Sequence, residues 1–334
     1  MPSPQFDLVG IGNPIMDLLA HVTDGFLAQN VAGEKGGMVL VDGADIERLL
    51  ALVGDNIAVT PGGSAANAVL GATRLGLRTT FVGKTGTDAT GAAYRDNFTA
   101  AGGDGSRFKK TNLPNGRCLS MVTADGQRTM RTHLGAAMTL SPEEIIADDF
   151  RDARHAHIEG YLLFNPALAE KVAQTARAAG CTLSLELSSF EVVGVARDWI
   201  LQQLRQGVDI VFANEDEARA LFQSDEPFDV LARRLAGFGG IGAVKIGKDG
   251  AWVAKGNDLH RIAPVTAARV IDSTGAGDAW AAGFLFGHLR GFGAPVAGAI
   301  GSLLGAETVQ HLGPSIPEVI WPRIRPQVQA LLAR

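Results

Sequence analysis

The stretch "VDIVFANEDEARALF" (208–222) contains the unit that decides the fold. Its first part is a short apolar run typical of a buried strand, and "EDEARALF" has the apolar spacing of a helix. A strand with no alternation of polar and apolar residues indicates a parallel sheet that is covered on both faces. The stretch therefore predicts a strand followed directly by a helix, which is the repeating unit of α/β proteins.

The same order of strand and helix recurs on both sides of this unit. Strands are predicted at 6–12, 79–84, 155–162, 181–187 and 241–247. Helices are predicted at 43–54, 62–76, 89–102, 166–180, 192–207 and 275–290. The pattern predicts an α/β fold with a doubly wound, mostly parallel central sheet flanked by helices. Ligands of such sheets bind at the carboxyl ends of the strands.

Two segments, 13–42 and 115–134, have strand character and turn signals but no long helix. The second contains "TADGQRT", in which Asp-Gly is a strong hairpin signal. We expect the two segments to pair into a small β-sheet that covers the ligand face as a lid. Residues 1–12, 43–114 and 135–334 then form the large α/β domain that binds nucleotide and substrate.

Composition excludes several classes of protein. The 334 residues carry 30 basic and 35 acidic side chains, a formal charge of −5, so neither nucleic acid nor an anionic membrane is an expected partner. Two cysteines, Cys118 and Cys181, give no disulfide framework. The beginning of the sequence lacks a basic segment followed by an apolar one, and no apolar run is long enough to span a membrane. We expect a cytoplasmic protein.

Two nucleotide-binding patterns are incomplete. Gly10 and Gly12 follow a strand, but Ile15 stands where the third glycine of a dinucleotide fingerprint belongs. "GAVKIGKD" has the glycine and lysine spacing of a P-loop, but Asp249 replaces the magnesium-binding Ser or Thr. The hypothesis of a nicotinamide-dependent oxidoreductase therefore rests on Gly10 and Gly12 alone.

The stretch "DSTGAGDAW" (272–280) has the most distinctive chemistry. A helix is predicted to begin there, with Ser273 or Thr274 as its cap. The first amides of a helix have no internal acceptor, and small residues leave them open to an anion such as a phosphoryl group. A carboxylate beside an anion site is electrostatically unfavourable unless it has a function. The function that fits Asp278 is that of a general base, which accepts a proton from an attacking hydroxyl. The alternative is a helix whose first turn merely carries an acid.

Five motifs occur in the order found in one family. "GNPIMD" (12–17), "PGGSAANAVLGATRLG" (61–76), "NEDE" (214–217), "IGKDG" (246–250) and "DSTGAGDAWAAGF" (272–284) resemble motifs of the ribokinase, or PfkB, family of carbohydrate and nucleoside kinases. The resemblance covers nearly the whole chain. It implies the ribokinase-like fold, with a small β-sheet lid at 13–42 and 115–134.

The resemblance implies a role for each matching residue. Asp278 is the implied catalytic base, and Gly275, Ala276 and Gly277 form the anion hole. The implied contacts to the acceptor come from Asn13, Asp17, Gly62, Gly63 and Asn67, with Arg128 closing over the phosphates. The implied nucleotide contacts are made by Asn214, Glu217, Lys245, Gly247 and Gly250.

The implied cofactors are ATP and Mg²⁺, with K⁺ as a candidate. Glu217 would hold the magnesium through water, and Asp272 and Thr274 are candidates for a monovalent cation. Lys245 departs from the family pattern, in which a threonine often precedes the nucleotide-binding turn. Its ammonium either binds phosphate or leaves the strand for solvent.

"GNPIMD", "GGSAAN" and the lid segment 126–137 look most like the bacterial adenosine kinase-like branch. This favours ATP-dependent phosphorylation of the 5′-hydroxyl of a purine nucleoside, adenosine first. A sugar kinase acting on ribose, fructose or a keto-deoxy sugar acid is the alternative, and a non-catalytic nucleoside-binding protein is a second one. Phe164 is predicted to be a core residue rather than a base-stacking one. The chain is expected to be a monomer or a homodimer.

Overall fold

A computed structural model describes residues 5–125 and 127–333. The strands are β1 (Leu8–Ile11), β2 (Ile15–His21), β3 (Met38–Leu40), β4 (Ala58–Pro61), β5 (Thr79–Val82), β6 (Lys84–Gly86), β7 (Lys109–Thr111), β8 (Gly116–Val122), β9 (Arg128–His133), β10 (His155–Glu159), β11 (Thr182–Glu186), β12 (Ile210–Ala213), β13 (Ile241–Lys245), β14 (Ala251–Lys255) and β15 (Asp258–Ile262). The helices are α1 (Asp24–Asn30), α2 (Gly43–Val53), α3 (Ser64–Arg74), α4 (Ala89–Ala100), α5 (Pro166–Ala178), α6 (Phe190–Arg205), α7 (Glu215–Phe222), α8 (Phe228–Ala236), α9 (Ala276–Leu289), α10 (Ala294–Thr308) and α11 (Trp321–Leu332).

The larger sheet has the predicted parallel centre. Within the described residues it has eight strands in the order β15-β14-β13-β12-β11-β10-β1-β5. All neighbours from β13 to β5 are parallel, and β14 and β15 add an antiparallel edge. This confirms the α/β fold class. The sequence order of the strands reverses between β1 and β10, and ligand-binding crevices form at such a reversal.

Helices cover both faces of this sheet, which explains the near-continuous apolar strands. Residues Leu8–Ile11 are all buried, for example, because alternate side chains enter different cores. One core lies under α5, α6, α7 and α8. The other lies under α3, α9, α10 and α11. Five of these helices, α3, α5, α6, α7 and α9, lie at the ranges predicted from the sequence. The sequence patterns did not indicate α8, α10 or α11.

A second, smaller sheet has the strand order β3-β9-β8-β2-β4 within the described residues. Its own core packs Leu27 of α1 and Ile46 and Leu49 of α2 against Leu119 and Met121 of β8. The segments 13–42 and 115–134 thus pair as predicted, and β8 and β9 are antiparallel, as the Asp-Gly signal indicated. Gly126 of that signal lies outside the described residues. Residues 1–4, which were predicted to belong to the large domain, also lie outside them.

The boundary predicted at residue 43 differs from the structure. Helix α2 packs on the smaller sheet, and β4 pairs with β2 as its edge strand. Both were assigned to the large domain, because their apolar spacing says nothing about which sheet they cover. In the structure the smaller sheet and its helices therefore take up residues 43–61 as well. Within the described residues, no helix combines the length and the apolarity needed to cross a membrane.

Candidate active site

Five neighbouring strands of the larger sheet end in polar residues at one edge. Asn13 follows β1, Glu159 ends β10, Glu186 ends β11, Asn214 follows β12 and Lys245 ends β13. Because the strands are parallel, their carboxyl ends meet at the same edge. The fold therefore gathers side chains that are more than two hundred residues apart in the sequence.

Helix α9 begins at this edge, and the turn before it requires glycine at residue 275. Gly275 has a φ of +71°, and a Cβ there would lie 2.2 Å from the carbonyl oxygen of Pro314. The helix has no side-chain cap, so the predicted cap at Ser273 or Thr274 is wrong: the left-handed glycine takes the capping position itself.

The first turn of α9 supplies amides for an anion. The amide of Ala276 turns back to the carbonyl of Ser273, 3.3 Å away. The amides of Gly277 and Asp278 come next, where a helix offers no internal acceptor. The amides of Gly277 and Asp278 are therefore open to an anion at this helix end, and the anion hole of Gly275, Ala276 and Gly277 stays a prediction.

Asp278 is held by two residues of helix α3. Ser64 donates its hydroxyl hydrogen to Oδ1 at 2.7 Å, and Asn67 donates from Nδ2 to Oδ2 at 2.9 Å. Burial raises the pKa of Asp278, while these two hydrogen bonds and the charge of Lys245 act in the opposite direction. A carboxylate with a raised pKa is better able to accept a proton near neutral pH.

Asn67 keeps one atom for a ligand. Its Nδ2 is used by Asp278, and its buried Oδ1 has no hydrogen-bond partner among the residues that the structure describes. An unpaired buried carbonyl is costly unless a donor comes to it. Asn67 is thus placed to accept a hydrogen bond from a ligand hydroxyl beside Asp278.

Lys245 points into the site, not into solvent. Its Nζ donates to Glu186 Oε1 at 2.8 Å, and a Cβ on Gly277 would lie 3.1 Å from the same nitrogen. Burial disfavours the ammonium, but Glu186 and Glu217 outweigh it, so the pKa of Lys245 is raised. The side chain therefore brings a permanent positive charge against the first turn of α9.

Asn214 and Glu217 form the capping box of α7. The amide and Nδ2 of Asn214 donate to the Glu217 carboxylate at 2.8 Å each, and the Glu217 amide donates to Asn214 Oδ1 at 2.8 Å. Burial raises the pKa of Glu217. Both residues lie at the edge of the site, but most of their hydrogen-bonding groups are paired with each other.

Asn13 is fixed by an acid that the sequence interpretation did not identify. Its amide and Nδ2 donate to Glu159 Oε1 at 3.2 and 2.6 Å, and the Ala65 amide donates to Glu159 Oε2 at 3.1 Å. Burial raises the pKa of Glu159 to about 7. Glu159 thereby ties β1, β10 and the start of α3 together at the site.

The paired glycines make room for two neighbours. A Cβ on Gly62 would lie 2.3 Å from Asp17 Oδ2, and one on Gly63, whose φ is +98°, would lie 2.3 Å from the Asn13 carbonyl oxygen. Burial raises the pKa of Asp17 to about 7, opposed by Arg128 and reinforced by Asp278. Asp17 of the smaller sheet therefore faces the same space as Asp278.

Arg128 joins the two sheets. It extends from β9 to form an ion pair with Asp272 and donates to the Thr274 hydroxyl. Arg128 was predicted to close over the phosphates, and Asp272 and Thr274 to bind a monovalent cation. In the structure the three residues are partners of one another.

A cavity of about 480 Å³ opens on the other side of the α9 N-terminus. Gly247 (φ +50°) and Gly250 (φ +93°) of the "IGKDG" motif lie in a turn that lines it. A Cβ on Gly250 would lie 2.1 Å from the Ile262 carbonyl oxygen. The cavity is lined mainly by apolar and small residues: Val265, Ala267, Val270, Ala276, Gly277, Trp280, Gly305, Ala306 and Val309.

Sequence reasoning did not identify Ser64, Glu159 or Glu186. The two acids each end an apolar strand run, and that position marks them once the parallel sheet is predicted. Ser64 is three residues before Asn67, so both face one side of α3. Phe164, predicted to be core, is 48% exposed and stacks on Tyr161 with ring centroids 6.4 Å apart.

Comparison with known proteins places this geometry among related chains. A family model described as pfkB family carbohydrate kinase matches residues 45–321. Adenosine kinase from Saccharomyces cerevisiae is 27% identical over 332 residues, covering 93% of this chain and 96% of the yeast protein.

Two solved structures are similar over nearly their whole length. A probable sugar kinase from Rhizobium etli is 33% identical, with a TM-score of 0.88 and coverage of 98% of this chain and 99% of that one. Adenosine kinase from Sinorhizobium meliloti is also 33% identical, with a TM-score of 0.87 and coverage of 97% and 99%.

Proposed function

Because the chain belongs to the PfkB family of carbohydrate kinases, we propose that it transfers the γ-phosphoryl group of ATP to the 5′-hydroxyl of a purine nucleoside, adenosine first. The chain is a phosphotransferase with an alcohol group as acceptor. The observation that carries the proposal is the Asp278 carboxylate, held by Ser64 and Asn67 at the open N-terminus of α9.

In the proposed reaction Asp278 removes the proton of the acceptor hydroxyl. The hydroxyl oxygen then bonds to phosphorus, the bond from phosphorus to the leaving ADP oxygen breaks, and the proton stays on Asp278. The amides of Gly277 and Asp278 and the Lys245 ammonium face the negative charge of the moving group. Glu186 holds Lys245 in that position.

On the donor side, the cavity behind Gly277 has the size and apolar lining for the adenine and ribose of ATP. Magnesium bound to the phosphates would shield their charge. Glu186 Oε2 is buried and has no hydrogen-bond partner in the described part of the chain. This oxygen and the neighbouring Glu217 would accept hydrogen bonds from the hydration shell of the magnesium. Asn214 acts here by orienting Glu217.

On the acceptor side, the space in front of Asp278 is surrounded by the residues proposed to bind the acceptor: Asn13, Asp17, Gly62, Gly63 and Asn67. Free Oδ1 of Asn67 and the Asp17 carboxylate are suited to ribose hydroxyls. We propose that the smaller sheet, with α1 and α2, is the lid that closes over this space and excludes water.

Two aromatic rings favour a nucleoside over a free sugar. Tyr161 and Phe164 stack directly after β10, and the charges of Glu159 and Asp278 reach Tyr161. An aromatic pair whose outer ring, Phe164, is half-exposed at the ligand edge is suited to a flat base. The names of the yeast and Sinorhizobium relatives agree with this choice.

A sugar kinase is the second candidate, favoured by the equally similar Rhizobium etli protein, named a probable sugar kinase. Both candidates share the Asp278 chemistry. They differ in whether the aromatic pair contributes to binding.

A coupled ADP-release assay with ATP and magnesium distinguishes the two. The panel contains adenosine, inosine, guanosine, ribose, fructose and 2-keto-3-deoxygluconate. Adenosine or another purine nucleoside is expected to give the highest kcat/KM. A sugar with the highest kcat/KM would contradict the nucleoside assignment, and no turnover with any acceptor would contradict the kinase proposal.

Phe164→Ala provides a matched test of the aromatic pair. Stacking of a base on an aromatic ring contributes about 1–3 kcal/mol. The substitution should therefore lower kcat/KM for adenosine by about 5- to 150-fold and leave kcat/KM for ribose unchanged. Equal losses for both acceptors would remove Phe164 from the base site. Phe190→Ala, another exposed phenylalanine at the start of α6, is the control.

A further inference from the structure

Both oxygens of the Asp272 carboxylate are bonded by groups of this chain. Oδ1 accepts the Thr274 amide at 2.9 Å, and Oδ2 accepts the Gly313 amide at 2.7 Å. The guanidinium of Arg128 pairs with Oδ2. The Asp272 side chain is 1% exposed and that of Arg128 is 10% exposed, so the ion pair is shielded from solvent.

This arrangement does not fit a monovalent cation at Asp272 and Thr274. A cation needs oxygen lone pairs, and those of Oδ2 already face an amide and the guanidinium. The Thr274 hydroxyl accepts from the same guanidinium. A second positive charge beside Arg128 would also be repelled, the more strongly because the pair is buried. The expectation that Asp272 and Thr274 bind K⁺ is therefore not supported by these contacts.

We propose that Arg128 takes the place of a monovalent cation at Asp272, so that the positive charge beside the anion hole is built into the smaller sheet. The proposal rests on the kinase function proposed above. Arg128 cannot lose its proton in the working range of pH, and its planar group holds two partners at once.

The position of Arg128 has a mechanical consequence. Arg128 begins β9 of the smaller sheet, while Thr274 directly precedes Gly275 and the amides of α9. The guanidinium holds Asp272 and Thr274 together only when the smaller sheet lies over the site. The positive charge therefore reaches Asp272 and Thr274 when the lid closes, and no ion has to enter from solvent.

The test compares thermal unfolding and turnover in potassium chloride, sodium chloride and tetramethylammonium chloride at equal ionic strength. For the unchanged protein, Tm and kcat/KM should agree within experimental error in all three salts. A protein stabilised or activated specifically by K⁺ would overturn the proposal. The Tm comparison needs no acceptor, so it decides the proposal even if no kinase activity is found.

Arg128→Met removes the charge at similar side-chain length. It should lower Tm in tetramethylammonium chloride, and K⁺ should raise the Tm of the variant by about 2 °C or more, because a bound ion stabilises the folded state. Its kcat should fall in every salt and recover in part with K⁺. A variant that stays indifferent to K⁺ would show that the guanidinium is a lid contact only and would overturn the proposal.

Two further variants keep the result decisive. Arg128→Lys retains the charge and should remain indifferent to K⁺, and Arg128→Gln replaces Arg128→Met if that variant does not fold. Arg117→Met changes the same residue type on β8, where the guanidinium pairs with the exposed Glu47. It should keep the activity and the salt indifference of the parent protein.

Discussion

At the scale of single residues, the ionisation of Asp278 is set by two opposing effects. Burial raises its pKa, and the hydrogen bonds from Asn67 and Ser64 limit the rise. A base must be deprotonated to work, so the acidic limb of the profile of kcat against pH is expected above the ordinary range of aspartate. The same limb reports the hydrogen bonds that Asp278 accepts.

Ser64→Ala removes one of these donors. The charged form of Asp278 loses a charge-assisted hydrogen bond, so its pKa rises further. The acidic limb of kcat should move upward by about one pH unit, since one unit corresponds to about 1.4 kcal/mol. The plateau at high pH should remain within a few-fold of the parent. Ser189→Ala, which removes the cap of α6, is the matched control and should leave the limb in place.

At the scale of elements, the N-terminus of α9 uses two glycines for different reasons. Gly275 is required by the backbone, because its φ is positive and Pro314 lies against it. Gly277 is required by the site, because a side chain there would contact the movable end of Lys245. Stability and activity should therefore separate between the two positions.

Gly275→Ala should lower the free energy of unfolding by about 1–3 kcal/mol, the cost of a strained backbone position. Gly277→Ala should unfold close to the parent temperature but lose about 10- to 100-fold in kcat, because the methyl group displaces Lys245 and shields the first amides. Thermal unfolding and steady-state kinetics of both variants measure this. Full activity in Gly277→Ala would contradict the proposed role of the amides and Lys245.

At the scale of the whole molecule, the sequence predicted what is local and periodic. The βα units, the two lid segments and the glycine turns at 247–250 and 275–277 follow from spacing and residue type. The pairing of Arg128 with Asp272 joins positions 144 residues apart and depends on how two sheets dock, which no spacing shows. The edge strand β4 was missed for a similar reason: it is a strand through its pairing with β2.

Docking of the smaller sheet also brings acids together. Asp17 on β2 lies close enough to Asp278 of α9 for the two charges to interact, and burial raises its pKa to about 7. A carboxyl group with a raised pKa in the folded state stabilises it below the unfolded pKa of about 3.8. That contribution is lost as the pH rises toward 7.

Asp17→Asn should therefore gain stability relative to the parent as the pH rises. The two proteins should have similar Tm values at pH 5, where part of the contribution of Asp17 remains, and the variant should unfold about 2 °C or more higher at pH 8. Differential scanning calorimetry across this range measures it. A difference in Tm that does not grow with pH would show that Asp17 is not in a charge-disfavouring site.

The central claim is that Asp278 accepts the proton of the acceptor hydroxyl during phosphoryl transfer. The most direct measurement is kcat of Asp278→Asn with ATP, magnesium and the best acceptor of the panel, together with the acceptor Kd. The account predicts a loss of kcat of about 10²–10⁴-fold, the usual contribution of a general base, with Kd within a few-fold of the parent. Turnover within 10-fold of the parent at unchanged Kd would contradict it.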